Sequence, residues 1–119
     1  MTSVLIVDDD SFLHTVLERI LNIGGHEVLG HAYDGADAIE KYVQLNQKPD
    51  IILMDHRMPV MSGAEATTEL HKINPKAKVI FISADESVRD IAISAGALDF
   101  LTKPIRSKYL FAILEKYAS

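Results

Sequence analysis

Ile51-Ile52-Leu53-Met54-Asp55-His56-Arg57-Met58-Pro59 decides the fold of this chain. Four apolar residues run without polar alternation, which marks a strand covered by helices on both faces. An acid ends the run, and Pro59 then forbids continuation as helix. A carboxylate is thereby placed at a strand tip. Three other stretches repeat the pattern: Val4-Leu5-Ile6-Val7 runs into Asp8-Asp9-Asp10, Val79-Ile80-Phe81-Ile82 into Ser83-Ala84-Asp85, and Asp99-Phe100-Leu101-Thr102 into Lys103-Pro104. In an open parallel sheet all strand carboxyl ends share one edge, and ligands bind there. Acids, a hydroxyl and a cation are expected to converge on that edge.

Helical periodicity fills the intervals. Residues 11–21 carry Phe12, Leu13, Val16, Leu17, Ile20 and Leu21 at spacings of three and four, which predicts an amphipathic helix stopped by Gly24-Gly25. Residues 26–32 read as a second strand, broken by Gly30 and polar at both ends, which suits a sheet edge. Asp34 is placed to cap a helix to about residue 45 with Ile39, Tyr42 and Val43 inward, closed by Gln47-Lys48-Pro49. Strand 50–54 follows, and Ser62-Gly63-Ala64-Glu65 has the spacing of a capping box opening a helix to residue 73. Strand 79–82, helix 86–95 ended by Gly96, strand 98–102 and helix 107–117 complete five βα units. Right-handed crossovers with the three wholly apolar strands central give a doubly wound, five-stranded parallel α/β sheet of order 2-1-3-4-5, a flavodoxin-like arrangement. Its switch point sets Asp8, Asp9 and Asp55 side by side.

With 119 residues, 48% of them hydrophobic, the chain fits one domain spanning residues 1–119. A chain of this size buries roughly 65% of its unfolded surface. The absence of cysteine removes disulfides, thiolate metal sites and a cysteine nucleophile, and fits a reducing compartment, so a cytoplasmic location is expected. No apolar run approaches the ~20 residues of a membrane span, and an acidic cluster interrupts the N-terminal region where a signal peptide would stay apolar. No membrane partner is expected. A formal net charge of -5 without a basic stripe argues against direct nucleic-acid binding.

Three carboxylates in one cleft repel each other, so either one is held protonated or a cation is present. An all-oxygen set suits a hard divalent ion, Mg²⁺ or Mn²⁺. Lys103 is then placed to neutralise a phosphoryl group on Asp55, and Ser83 to donate a hydrogen bond to it. Any one acid after a strand, such as Asp10 or Asp85, is most often a helix cap or a solvated loop residue. The ensemble of acids, serine and lysine at successive strand tips is a functional site. The five histidines, His14, His26, His31, His56 and His71, share no metal-like helical spacing and read as surface or filler, with His56 beside the site. Met58 and Phe100 read as core.

Val7-Asp8-Asp9, Met54-Asp55, Met58-Pro59, Ser83-Ala84 and Lys103-Pro104 stand in an order and spacing that resembles the response-regulator receiver domain of two-component signalling, over the whole chain. The resemblance implies a phosphorylation-activated switch. Asp55 would accept a phosphoryl group from the phosphohistidine of a sensor histidine kinase or a phosphotransfer protein. Mg²⁺ would be held by Asp9, Asp55 and the backbone carbonyl of Arg57, with Asp8 reaching it through water. Ser83 and Lys103 would bind the phosphoryl oxygens, and Arg57 and Asp85 would tune its lifetime. Phe100 stands where the family often has a tyrosine switch, a departure that removes the hydroxyl. The output would be a changed surface on the fourth helix, fifth strand and fifth helix, read by a downstream protein. Chemistry beyond self-phosphorylation and self-dephosphorylation is not implied, so the chain would not be an enzyme in the ordinary sense. Ending right after its fifth helix, it reads as a stand-alone receiver.

The alternative from another class is a phosphohydrolase resembling the haloacid-dehalogenase family, with Asp8 as nucleophile in Asp8-Asp9-Asp10-Ser11. That family needs a further acidic pair after its lysine, and only Glu115 follows Lys103. A mononucleotide binder of the same topology wants small and hydroxyl residues after strand one, where this chain has three acids.

Overall fold

Local chemistry sets the element boundaries of the computed structural model, which describes residues 1–118. The strands are β1 (Ser3–Val7), β2 (Glu27–Ala32), β3 (Ile51–Asp55), β4 (Val79–Ser83) and β5 (Asp99–Thr102). The helices are α1 (Ser11–Ile23), α2 (Gly35–Gln44), α3 (Gly63–Ile73), α4 (Val88–Ala95) and α5 (Ser107–Tyr117). Asp10 caps α1 by accepting from the Phe12 amide, Asp34 caps α2 through the Asp37 amide, and Ser62 with Glu65 closes the expected capping box on α3. At the other end of α2, the Lys48 ammonium donates to the Val43 and Leu45 carbonyls, where a cation offsets the helix dipole.

All five strands are parallel in the order β2-β1-β3-β4-β5, as the apolar pattern requires. β1, β3 and β4 are buried along their whole length. Alternation splits their side chains between two cores. Leu5, Val7, Ile52, Met54, Val79 and Phe81 form one with α2, α3 and α4, whereas Val4, Ile6, Ile51, Leu53, Ile80 and Ile82 form the other with α1 and α5. Edge strand β2 pairs with β1 through an irregularity between Val4 and Leu5, where the register steps from Val28 to Gly30. No helix among the described residues is long and apolar enough to cross a membrane.

Several expectations are corrected. Phe12 is 73% exposed, because the buried stripe of α1 is His14, Leu17 and Leu21, and Phe12 lies on the opposite side of the helix from it. Val43 is exposed for a similar reason: Gly35, Ala38 and Tyr42 form the inward stripe of α2. Helix α4 starts at Val88 rather than residue 86, because Asp85 turns the chain by accepting from the Ser87 amide at 2.9 Å.

The β3–α3 connection packs tightly against the carboxyl end of β3. The Gly63 amide donates to the His56 carbonyl at 2.9 Å, and a Cβ on Gly63 would lie 2.2 Å from the Asp55 carbonyl oxygen. Only glycine permits that approach. Met61 is pinned in turn because its carbonyl accepts from Gly35, and between these contacts Val60 is left at φ 70°, a strained backbone for a β-branched residue. Gly63→Ala should therefore lower unfolding stability by about 2–3 kcal/mol, an overpacking cost against backbone. Gly30→Ala, whose Cβ would meet only Leu5 Cδ1 at 3.4 Å, should cost less than about 1 kcal/mol in the same urea titration.

Candidate functional site

The carboxyl ends of β1 and β3 bring Asp8, Asp9 and Asp55 together with ligand oxygens all within 4.8 Å of one another. Asp8 and Asp55 are buried and Asp9 is exposed. The consecutive acids divide their tasks. Asp8 Oδ1 accepts from the Asp10 amide at 2.8 Å, Asp10 is spent on the α1 cap, and Asp9 faces solvent. Lys103 at the end of β5 reaches across the cleft. Its Nζ lies 2.8 Å from Asp8 Oδ2 and 3.5 Å from Asp55 Oδ1.

One ammonium against three carboxylates leaves the cleft with a deficit of positive charge. Burial, then the Asp8 charge, push the Asp55 carboxyl up to about 6 against the opposing pull of Lys103. Burial alone would lower the Lys103 ammonium, but its bond to Asp8 and the Asp55 charge outweigh this and hold it raised. A divalent ion among oxygen donors would remove the remaining charge, and the three carboxylates fit Mg²⁺ by donor type and spacing.

At the rim, Arg57 Nη2 and Asp85 Oδ2 are 2.5 Å apart, so the two residues expected at the mouth pair with each other. The Ser87 hydroxyl and amide, ahead of Arg57, hold the Asp85 carboxyl below the usual carboxylate range. Ser83 is buried; its Oγ accepts from the Asp85 amide at 3.1 Å, which leaves the hydroxyl proton available, and its carbonyl accepts from Lys103 N–H. His56 stacks on Phe81, and Met58 packs on the core as expected. Phe100 is also core, with the Arg89 guanidinium 4.7 Å above its ring. The Lys103-Pro104 peptide is cis.

Reading the histidines as surface or filler fails for His14. It is 2% exposed, and its Nε2 lies 2.7 Å from the Asp8 carbonyl oxygen. The signal was present: His14 falls three and seven residues before Leu17 and Leu21, on the inward stripe of its helix.

Residues 4–115 match the response regulator receiver domain family. The chain is 44% identical over 115 residues to a chemotaxis protein CheY of Thermotoga maritima, covering 95% of this chain and 94% of that protein. Among solved structures it is similar to the receiver domain of a Pseudomonas aeruginosa sensor histidine kinase with magnesium ion coordinated in the active site cleft, at TM-score 0.88 and 30% identity, covering 98% of this chain and 97% of that one. It is equally similar, at TM-score 0.88 and 31% identity, to the structure of the CheX–CheY–BeF3–Mg complex from Borrelia burgdorferi, covering 98% and 89%.

The Asp55 environment has a consequence for stability. Its folded carboxyl is harder to ionise than in the unfolded chain, so the ionised form costs stability: the cost is absent below about pH 4 and grows as pH rises through about 6. Metal-free Asp55→Asn should therefore be more stable than the parent by up to about 3 kcal/mol near pH 7.5. The gap should close toward pH 4, and Mg²⁺ should narrow it at neutral pH, as urea unfolding would register.

Proposed function

The chain belongs to the response regulator receiver domain family, a family of phosphorylation-dependent signalling switches, and from that premise we propose that residues 1–119 form one receiver domain with Asp55 as phosphoryl acceptor. The observation that carries this reading is the position of Asp55: a buried carboxylate at the tip of central β3, flanked by Asp8, Asp9 and Lys103. Asp9, Asp55 and the Arg57 carbonyl, with Asp8 through water, would hold Mg²⁺ or Mn²⁺. The ion would supply positive charge to the cleft and to the phosphoryl oxygens. An Asp55 carboxylate oxygen forms the O–P bond while the N–P bond of a kinase or phosphotransfer-protein phosphohistidine breaks; the bond pair stays on that nitrogen, and a proton on the ring's other nitrogen makes the departing histidine neutral. Lys103 then moves its charge from carboxylate to phosphoryl oxygen, and the free proton of Ser83 donates to another. Asp8 suits a nucleophile poorly, because it is fully buried and its Oδ2 already holds Lys103.

Switching needs more than one hydroxyl. A hydrogen bond from Ser83 to a charged group is worth about 1.5–3 kcal/mol, whereas inverting a 1:99 equilibrium takes about 5.5 kcal/mol. Ser83 acts together with Lys103 and with repacking of Phe100, or a partner supplies the remainder. The output surface is α4-β5-α5, where Phe100, Pro104, Arg106, Tyr109 and Ile113 line a groove and Ile91 of α4 and Leu98 before β5 are exposed. A downstream protein in the cytoplasm is the partner this face fits, with self-phosphorylation and self-dephosphorylation as the chain's own chemistry.

Incubation with acetyl phosphate and Mg²⁺ should label Asp55 alone by mass spectrometry. Asp55→Asn and excess chelator should each abolish labelling, and transfer to Asp8 instead would revive the hydrolase. Arg57 and Asp85 yield a separate expectation: their pair at the rim would obstruct or misorient the water that must attack in line with the O–P bond. Arg57→Ala and Asp85→Ala should each shorten the phosphoryl half-life about two- to fivefold, and the double variant should be less than additive. Additive or unchanged dephosphorylation rates would show that the pair is no gate.

A further inference from the structure

A chain of hydrogen bonds runs from the acidic cleft to the surface between α1 and β2, and nothing in the phosphoryl chemistry above uses it. It joins the Asp8 carbonyl to His14 Nε2 at 2.7 Å, His14 Nδ1 to His31 Nδ1 at 2.8 Å, and His31 Nε2 to Glu18 Oε1 at 2.6 Å. Tyr33 covers the inner ring, with centroids 4.3 Å apart. Hydrogen-bond valence fixes the direction of the inner links. A carbonyl only accepts, so His14 donates through Nε2. A neutral imidazole that donates through one nitrogen accepts through the other, so His14 Nδ1 faces His31 as an acceptor. His31 must then donate through Nδ1, and its Nε2 faces the Glu18 carboxylate. Glu18 anchors the outer end of the chain, and His31 aligns the His14 ring from its Nδ1 side.

Asp8 lies one residue beyond β1. Its amide donates to the Ala32 carbonyl at 3.1 Å, and its carbonyl is the acceptor for His14. The peptide plane between Asp8 and Asp9 is therefore fixed by His14, and that plane sets the direction in which the exposed Asp9 carboxylate leaves the chain. We propose that His14, aligned by His31 and Glu18, is a positioning residue for the acidic cluster, holding the Asp8–Asp9 peptide in the orientation that a divalent cation requires. The inference rests on the receiver reading of Asp8 and Asp9 as cation-binding groups. It differs in kind from the Lys103 contacts, because His14 touches no carboxylate and no reacting atom. Partners that orient a binding group in this way typically carry about tenfold or more in metal affinity.

The test is Mg²⁺ titration of the metal-free protein, followed through the backbone amide signals of Asp8, Asp9 and Asp10, with thermal midpoints recorded for each variant. His14→Ala should weaken Mg²⁺ binding about tenfold. His14→Gln, whose side-chain amide nitrogen can occupy the place of Nε2, should return affinity to within about threefold of the parent, even where its midpoint is lower. His31→Ala, at a half-exposed position that leaves the fold intact, should weaken binding about threefold by releasing the His14 ring. Equal Mg²⁺ affinity in parent, His14→Ala and His31→Ala would overturn the inference and leave the receiver reading standing, as would a His14→Gln variant as weak as His14→Ala. A parent protein whose amides do not respond to Mg²⁺ would instead overturn the cation reading, and this inference with it. Should His14→Ala fail to fold, His14→Gln and His31→Ala decide the matter by the same criteria.

Discussion

The ammonium of Lys103 between the carboxylates of Asp8 and Asp55 is the interaction on which the rest of the site depends. Burying two like charges at neighbouring strand tips is costly, and removing a buried charge's partner costs more than the pair contributes. Strand order makes the contact possible: β1 and β3 are neighbours, so Asp8 and Asp55 adjoin, while β5 lies at the edge with a side chain long enough to reach back over β4. The neutralisation is incomplete, because one cation faces three acids. A divalent cation would offset that deficit, which with burial raises the Asp55 carboxyl above the ordinary carboxylate range.

The same contact links chemistry to surface. Lys103 N–H donates to the Ser83 carbonyl, and the Ser83 hydroxyl accepts from the Asp85 amide, so the ends of β4 and β5 are tied to the surroundings of Asp55. Glu86, just beyond, accepts from the Thr102 hydroxyl and from Arg89, whose guanidinium lies on Phe100. Phe100, Thr102 and Lys103 themselves line the groove between β5 and α5, so the cleft and the groove share residues. Without a tyrosine hydroxyl at position 100, packing and this cation–π contact are what couple the ring to its neighbours.

Much of this was legible in the sequence because it followed from period and punctuation. Unbroken apolar runs identified β1, β3 and β4, the broken run around Gly30 identified an edge, and strand order then forced Asp8, Asp9, Asp55, Ser83 and Lys103 onto one rim. What was not legible depended on which way side chains turn. Phe12 counts toward an apolar pattern yet faces solvent, since the tighter stripe through His14, Leu17 and Leu21 claims the inner face. The role of His14 was hidden for the same reason: histidines at 14 and 31 are unrelated along the chain and meet only because α1 packs beside β2. The start of α4 shifted because an Asp85 turn competes with helix for the same amide.

Titration of the Asp55 carboxyl by carbon-13 NMR in the metal-free protein is the most direct test of an under-neutralised cleft held by one lysine. The expected midpoint in the parent is about 6, and in Lys103→Met it should move higher still, since the opposing charge is gone. An Asp55 midpoint in the ordinary carboxylate range, or one that Lys103→Met leaves in place, would contradict the account.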